Sequence, residues 1–340
     1  MLKELSYKLL SNYFINYFSL KFGKNSVFKP LFFSFYLTLH CNFNCLYCDL
    51  GQHKENRLKF RQADTQKTIE LLEIIKKECD AIYFTGGEPL IRNDIIEILK
   101  KCKTLGFKSI TINTNMSLIH KKIEALEYIT NLVASFDLLD EKQYSKILGI
   151  PISDVIRVKE NILKCAKLQQ EKKFLMTVNC VVIPETIHYV PDLMNFCFEH
   201  NIRFAIVPAE LAGGKMNPLL KNNKDYRRLI ESVIKAKKDG KPVFGSYEYL
   251  KTIRDFSPFN CCPTLSPHIY PNGDLFYPCE PIKNVAANLL AAGSYKKAIK
   301  TGLKKFGSLP SCKGRCYKAC YIETTNFIKN PKLIISEFVG

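Results

Sequence analysis

Leu31-Phe32-Phe33-Ser34-Phe35-Tyr36-Leu37-Thr38-Leu39 leads straight into His40-Cys41-Asn42-Phe43-Asn44-Cys45-Leu46-Tyr47-Cys48. The first nine residues read as a buried β-strand: a short apolar run rich in aromatic residues. The next nine place three thiols within eight residues, just past the strand's carboxyl end. Three thiolates from one short loop can hold three irons of a cubane 4Fe–4S cluster, which leaves the fourth iron without a protein ligand. An open metal position is what a catalytic centre needs. A zinc site of the three cysteines with His40 or His53 satisfies the same spacing, so spacing alone leaves both open.

Outward from this stretch the chain alternates between two periods. Helix over 65–79 precedes a short apolar strand at 81–85. The next helix begins at Asp94, with Glu97 three residues on as a capping box, and stops near Gly106. Strand 109–113, helix 119–129, strand 132–136, helix 154–170, strand 174–183, helix 190–200 and strand 204–207 follow. Six strands, each but the last followed by a helix, predict a parallel α/β sheet with right-handed crossovers. A further helix is expected near 226–237. Beyond residue 240 five prolines between Pro258 and Pro278 break the periodicity, and a loop-rich module with six cysteines begins.

Composition narrows the class. The 340 residues are 46% hydrophobic and 24% charged, which excludes wholesale disorder. Fourteen cysteines are too few for a disulfide scaffold, and they are clustered in a chain without a secretory signal, which favours metal over disulfides. No segment reads as a membrane span. The net charge is +18. The first forty residues carry five lysines, one acid and eleven aromatic residues, and Leu2, Leu5, Leu9, Tyr13, Tyr17 and Leu20 share one helix face. That helix either docks on its own domain or lies on an anionic membrane.

Downstream of the second strand stands Thr85-Gly86-Gly87-Glu88-Pro89. Two glycines permit a sharp turn and close approach to a ligand, at the strand end where α/β proteins place their sites. With the Cys41/Cys45/Cys48 spacing and Tyr47 before the last cysteine, this chain resembles the radical S-adenosylmethionine (radical SAM) superfamily over about residues 31–210. The resemblance implies a (β/α)6 partial TIM barrel and a 4Fe–4S cluster on Cys41, Cys45 and Cys48. It further implies S-adenosylmethionine bound at Gly86, Gly87 and Glu88, with Glu88 complementing the methionine amino group. The chemistry implied is reductive cleavage to a 5′-deoxyadenosyl radical, which abstracts a substrate hydrogen. Asn113 and Asn115 end the third strand where relatives carry a Thr-Asn-Gly turn, with Met116 in place of the glycine. Ser135 and Asp137 end the fourth strand, similar to the Ser-Leu-Asp run of relatives. The resemblance makes all four cofactor contacts, with Asn179 a weaker one; the bland reading is polar caps on strand ends. No catalytic residue is assigned.

The second cysteine set is Cys261, Cys262, Cys279, Cys312, Cys316 and Cys320. Tyr270–Cys279 reads as a hairpin turning at Asn272-Gly273, which returns Cys279 beside Cys262. This resembles the SPASM and twitch modules of radical SAM enzymes. It implies one auxiliary 4Fe–4S cluster on Cys262 or Cys261, Cys279 and two of the last three, with zinc as the alternative. The gaps of three between Cys312, Cys316 and Cys320 fit one helical face. Cys79, Cys102, Cys165, Cys180 and Cys197 fall on apolar faces and read as core cysteines.

The expected organisation is an N-terminal amphipathic extension (1–29), a barrel core (30–240), the auxiliary module (241–325) and a tail (326–340). The extension is too short for a peptide-leader domain or a cobalamin domain. The expected function is a radical SAM enzyme acting on a membrane-associated lipid or small metabolite. A peptide-modifying enzyme, and a non-catalytic iron–sulfur or zinc protein, are the alternatives. A flavodoxin- or ferredoxin-type electron donor is the implied partner, no nucleic acid is expected, and the expected location is cytoplasmic or peripheral on the inner face of the membrane.

Overall fold

The computed structural model describes residues 6–23, 27–48, 61–211, 213–308 and 316–333. Leu2, Leu5, His53 and Cys312 lie outside them. Helix α1 (Tyr7–Lys21) precedes β1 (Phe33–Thr38), α2 (Thr65–Glu78), β2 (Ala81–Gly86), α3 (Ile95–Thr104), β3 (Ser109–Thr114) and β4 (Asn131–Ser135). Then come α4 (Glu141–Leu148), α5 (Ile152–Leu168), β5 (Leu175–Val182), α6 (Val190–Glu199) and β6 (Arg203–Pro208). The strands pair in parallel in the order β1-β2-β3-β4-β5-β6. Every crossover therefore steps the same way, the order of a barrel wall rather than of a doubly wound sheet, whose order reverses.

Period-two alternation sorts the two faces of this wall. Phe33, Phe35, Leu37, Ile82, Phe84, Ile110, Ile112, Leu132, Ala134, Met176, Val178 and Phe204 are buried in the core. The helices complete it: α3 contributes Ile95, Ile98, Leu99 and Cys102, the stripe its sequence predicts. The five lone cysteines are all fully buried in this layer. The opposite face carries Tyr36, Tyr83, Asn113, Ser135 and Asn179, only partly buried.

Three expectations for the barrel are corrected. The 119–129 segment is not an α-helix but two 3-10 turns, Ile119–Lys121 and Ile123–Glu127. A 3-10 turn rises about 2.0 Å per residue against 1.5 Å in an α-helix, so it spans a short crossover with fewer residues. The Asp94–Glu97 capping box does not form, because Asp94 is committed elsewhere. It binds buried Arg92 at 2.6 and 2.9 Å and Thr65 at 2.7 Å. Helix α4 went unrecognised, although Asp140 caps its start through the Gln143 amide and Gly149 ends it at φ 64°.

After β6 come the short hairpin β7 (Glu210–Leu211) and β8 (Lys215–Met216), α7 (Lys224–Lys238) and α8 (Tyr247–Asp255). Strands β9 (His268–Ile269), β10 (Asp274–Phe276) and β11 (Val285–Asn288) follow, then α9 (Tyr295–Phe306) and α10 (Ala319–Lys329). The cysteine-bearing module is thus less loop-rich than its prolines suggest. Its hairpin is continuous with the barrel wall: β9 pairs in parallel with β1, while β10 is antiparallel to β9 and β11. The turn is the expected one, with Gly273 at φ 89° and the Asp274 amide bonded to Asn272.

Helix α1 docks with one face. Asn12 donates to the Pro30 and Glu78 carbonyls, Asn16 exchanges hydrogen bonds with Lys29, and Tyr13 donates to the Phe327 carbonyl. Leu9, Tyr13, Tyr17 and Leu20 pack with Phe28, Leu31, Leu265 and Ile328 in a satellite core.

Candidate active site

Beyond β1 the chain is clamped from both sides. On one side Gly87 donates to the Thr38 carbonyl (2.8 Å) and Glu88 to the His40 carbonyl (2.7 Å), which carries the β1–β2 pairing past the strand end. A Cβ on Gly86 would sit 2.1 Å from the Thr38 carbonyl oxygen, and one on Gly87 2.0 Å from that of His40. Neither approach is open to a residue with a side chain; Gly86 also has φ 128°. On the other side the amides of Asn44 and Leu46 donate to the carbonyls of Leu148 and Ile147, both at 3.0 Å. The unsatisfied carbonyls at the end of α4 thus hold the cysteine loop.

Between these clamps stand Cys41, Cys45 and Cys48, all partly exposed. Burial pushes the Cys45 thiol up, and the nearby Cys48, Asp137 and Cys41 push it further. The Phe43 amide donates to Cys41 Sγ at 3.4 Å and the Asn115 side-chain amide at 3.8 Å. N–H donors aimed at a cysteine sulfur stabilise a thiolate and tune an iron–sulfur centre. His40 Nε2, beside Cys41, is buried with no partner among the described residues. Among the described residues no three ligating side chains meet around one metal ion; a cubane spreads its three thiolates over three irons. Three clustered thiols, donors to sulfur, an unpaired imidazole nitrogen and a backbone cradle free of side chains fit a 4Fe–4S cluster with a small ligand beside it.

Glu88 is fully buried and has an internal task. Its Oε1 accepts from Thr114 (2.7 Å) and the Leu90 amide (3.0 Å), and Oε2 accepts from the Asn115 amide (2.6 Å). It ties the end of β2 to the end of β3, so the carboxylate expected to complement an amino group also serves as a structural anchor. Burial pushes its carboxyl up to about 7, against the pull of those three bonds. Its ordinary value is 4.5. Between these values the folded chain holds a proton that the unfolded chain has lost. Stability of the apoprotein therefore falls as pH rises from about 4.5 to about 7, by on the order of 3 kcal/mol. Urea unfolding at pH 5 and pH 7.5 should show this loss, and Glu88→Gln should remove that part of it.

Asn115 faces the cysteine loop, donating to Asn42 at 2.9 Å and accepting from the Ser117 amide and hydroxyl. Met116 takes the left-handed φ of 65°. The strain is held by its buried side chain and by Asn161, which donates to its carbonyl at 2.7 Å. Ser135 donates to Asn113 at 3.1 Å on the concave face. Asp137 is buried, accepting from the Tyr47 hydroxyl and, at 2.8 Å, from the Val181 amide. Beside Leu46 and Tyr47 opens a cleft of about 690 Å³, walled by Ile183 at the end of β5 and Ala209 and Glu210 beyond β6.

The second cysteine set divides. Cys279, Cys316 and Cys320 are neighbours: burial raises the Cys316 thiol, and Glu210, Cys279 and Cys320 add to it. The tip of the β7–β8 hairpin seals this group, since a Cβ on Gly214 would lie 2.9 Å from Pro281 Cβ and 3.3 Å from Cys316 Cβ. Lys318 reaches Glu210 at 3.6 Å and Glu280 at 3.3 Å. Burial acts to raise Glu280, but Lys318 and Lys283 outweigh it and hold the carboxyl at about 2. Cys262, one of the two alternatives expected beside Cys279, packs in the satellite core with Tyr13, Leu265 and Ile328, and its amide donates to Thr325 at 2.9 Å. The shared helical face is corrected. Cys316 precedes α10 and Cys320 lies in its first turn. The apolar neighbours of Cys262 come from residues 13, 28 and 328, a long-range packing that local spacing does not encode.

The model of the radical SAM superfamily matches residues 35–197. The probable GTP 3′,8-cyclase of Methanococcus aeolicus is 31% identical over 183 residues, 50% of this chain and 56% of its own length. That of Methanothermobacter thermautotrophicus is 29% identical over 174 residues, 50% of this chain and 55% of its own. The chain spans about half the length of these curated relatives. Among solved structures, SuiB of Streptococcus suis bound to S-adenosylmethionine superimposes with TM-score 0.59 at 25% identity, over 77% of this chain and 63% of its own. The anSMEcpe structure with bound AdoMet gives TM-score 0.62 at 16% identity, over 91% of this chain and 93% of its own, and so shares the fold past residue 197 into the cysteine module. The family match, the barrel order and the two cysteine groups agree: residues 35–197 form a radical SAM domain on a (β/α)6 partial TIM barrel, of a superfamily whose cofactors are a 4Fe–4S cluster and S-adenosylmethionine, and a SPASM/twitch-like cysteine module follows it.

Proposed function

We propose that the chain abstracts a hydrogen atom from a membrane-associated amphiphile, holding its 4Fe–4S cluster on Cys41, Cys45 and Cys48 and S-adenosylmethionine against the Gly86–Gly87 turn. When bound and reduced, the cluster supplies the one electron that parts S-adenosylmethionine into methionine and the 5′-deoxyadenosyl radical, which leaves as 5′-deoxyadenosine after taking the substrate's hydrogen. That electron comes from a flavodoxin- or ferredoxin-type donor. Asn115 and the Phe43 amide stabilise the Cys41 thiolate. The glycine turn admits the methionine end of the ligand, and Asn113, Ser135 and Asn179 offer polar contacts on the concave face. Cys279, Cys316 and Cys320, with Cys312 or Cys261, hold one auxiliary 4Fe–4S cluster. Its proposed role is to accept the electron when a substrate radical is oxidised.

The membrane reading rests on the outer face of α1. Phe14 is 53%, Ile15 46%, Phe18 52% and Phe22 66% exposed, and Tyr7 89%. Yet the opposite face of the same helix is firmly docked, so these side chains are held outward. Aromatic residues at headgroup depth beside lysines on a +18 chain suit an anionic bilayer surface. Among the described residues no helix is long and apolar enough to cross a membrane, and the contact proposed is a peripheral one on the inner face. The full chain should sediment with phosphatidylglycerol-containing vesicles at low salt and be released by high salt. Replacing Phe14, Phe18 and Phe22 together by Ser should abolish sedimentation. Binding that survives the triple substitution contradicts the reading; so does a full-length protein that stays in the supernatant.

A peptide substrate is the second reading. It is favoured by the fold shared with SuiB, whose structure bound to the precursor peptide SuiA superimposes over 92% of this chain with TM-score 0.63.

A further inference from the structure

Tyr47 lies between two cysteines, and its hydroxyl donates to Asp137. Asp137 is 1% exposed. Its other carboxylate oxygen accepts from the Val181 amide at 2.8 Å, which fixes it to β5. Its own amide donates to the Tyr144 hydroxyl at 3.1 Å, and Tyr144 belongs to α4. Tyr144 also packs edge-on against Phe136, ring centroids 5.0 Å apart. Helix α4 in turn receives the Asn44 and Leu46 amides at its last carbonyls. One residue therefore anchors both supports of the cysteine loop: the phenol of Tyr47 directly, and the main-chain clamp through Tyr144.

We infer that Asp137 is a positioning residue that acts through Tyr47, fixing the Cys45–Cys48 segment so that the iron–sulfur cluster presents its open position correctly to S-adenosylmethionine. The inference rests on the reading of Cys41, Cys45 and Cys48 as cluster ligands. A loop clamped through its main chain at Asn44 and Leu46 still lets the Leu46–Cys48 end pivot, and the Tyr47–Asp137 hydrogen bond removes that freedom beside two cluster ligands. Loss of such a bond typically costs about 10–100-fold in metal affinity or activity.

The test is a cycle of Tyr47→Phe, Asp137→Asn and the double variant against the parent, each reconstituted anaerobically with iron and sulfide. The readouts are iron content, apoprotein melting temperature, and the S-adenosylmethionine concentration that half-converts the electron paramagnetic resonance signal of the reduced first cluster. A parent that takes up no iron would count against the cluster reading itself. A parent that loads and responds isolates the positioning claim. Tyr47→Phe keeps the ring and the buried packing, so its expected result is near-parental iron with half-conversion shifted at least about tenfold upward. Because Asp137 acts through Tyr47, the double variant should be no worse than the poorer single variant. Unchanged half-conversion in Tyr47→Phe overturns the inference. Additive losses in the double variant overturn it too, since they mean that Asp137 meets the ligand directly. Should Asp137→Asn fail to fold, Tyr47→Phe alone decides by the same half-conversion.

Discussion

Gly87→Ala should lower 5′-deoxyadenosine formation at least about 100-fold while the chain still folds. The added methyl would lie 2.0 Å from the His40 carbonyl oxygen, a main-chain atom with no side chain to swing aside. Relief requires the β2 turn and the β1 extension to part, which breaks the Gly87–Thr38 and Glu88–His40 hydrogen bonds and moves the residue preceding Cys41. Overpacking of this kind costs about 1–3 kcal/mol in stability. A displacement of about 1 Å at a reacting centre can cost about 100-fold in rate. Gly240→Ala is the matched control. It follows α7 at φ 79° with nothing within 4 Å of the new methyl, so it carries about 1–2 kcal/mol of backbone strain and leaves turnover intact. Melting temperature and 5′-deoxyadenosine yield, measured on both, separate general destabilisation from damage to the site.

Cys279→Ala together with Cys316→Ala should remove about four irons per chain and leave the first cluster's S-adenosylmethionine response in place. The two thiols belong to one group with Cys320, behind the Gly214 turn and on the opposite edge of β1 from the β2 turn. Cys262→Ala should leave iron content unchanged, because that thiol sits among apolar side chains of the satellite core. Iron and sulfide analysis of the two variants decides the ligand set. Unchanged iron in the double variant contradicts the auxiliary assignment, and loss of iron in Cys262→Ala contradicts the exclusion of Cys262.

The barrel was legible because its signals are local. Each strand from β1 to β6 is a short apolar run, and the stripe Ile95, Ile98, Leu99, Cys102 has the helical period. The cysteine loop and the glycine turn were legible because spacing alone carries their chemistry. What escaped depends on distant partners. Asp94 looked like a helix cap until Arg92 and Thr65 claimed it. The internal hydrogen bonds of Glu88 and Asp137, both expected from the resemblance as ligand contacts, carry no local signal. Their hydrogen-bond partners, Thr114 and Asn115 for one and Tyr47 and Val181 for the other, lie 26 to 90 positions away. The packing of Cys262 is not legible locally because its neighbours include residues of α1 and α10, at opposite ends of the sequence. The role of α1 was half legible: its periodicity marked the docked face, and only the fold shows that Phe14, Phe18 and Phe22 stay outside.

The central claim is that the Cys41/Cys45/Cys48 loop carries a cluster that cleaves S-adenosylmethionine. The most direct measurement is 5′-deoxyadenosine produced by the anaerobically reconstituted, reduced full chain supplied with S-adenosylmethionine, beside the Cys45→Ala variant. The account predicts 5′-deoxyadenosine and methionine in equal amounts from the parent and neither from the variant. A parent with an intact, reducible first cluster that yields no 5′-deoxyadenosine, or a Cys45→Ala variant that yields as much as the parent, would contradict it.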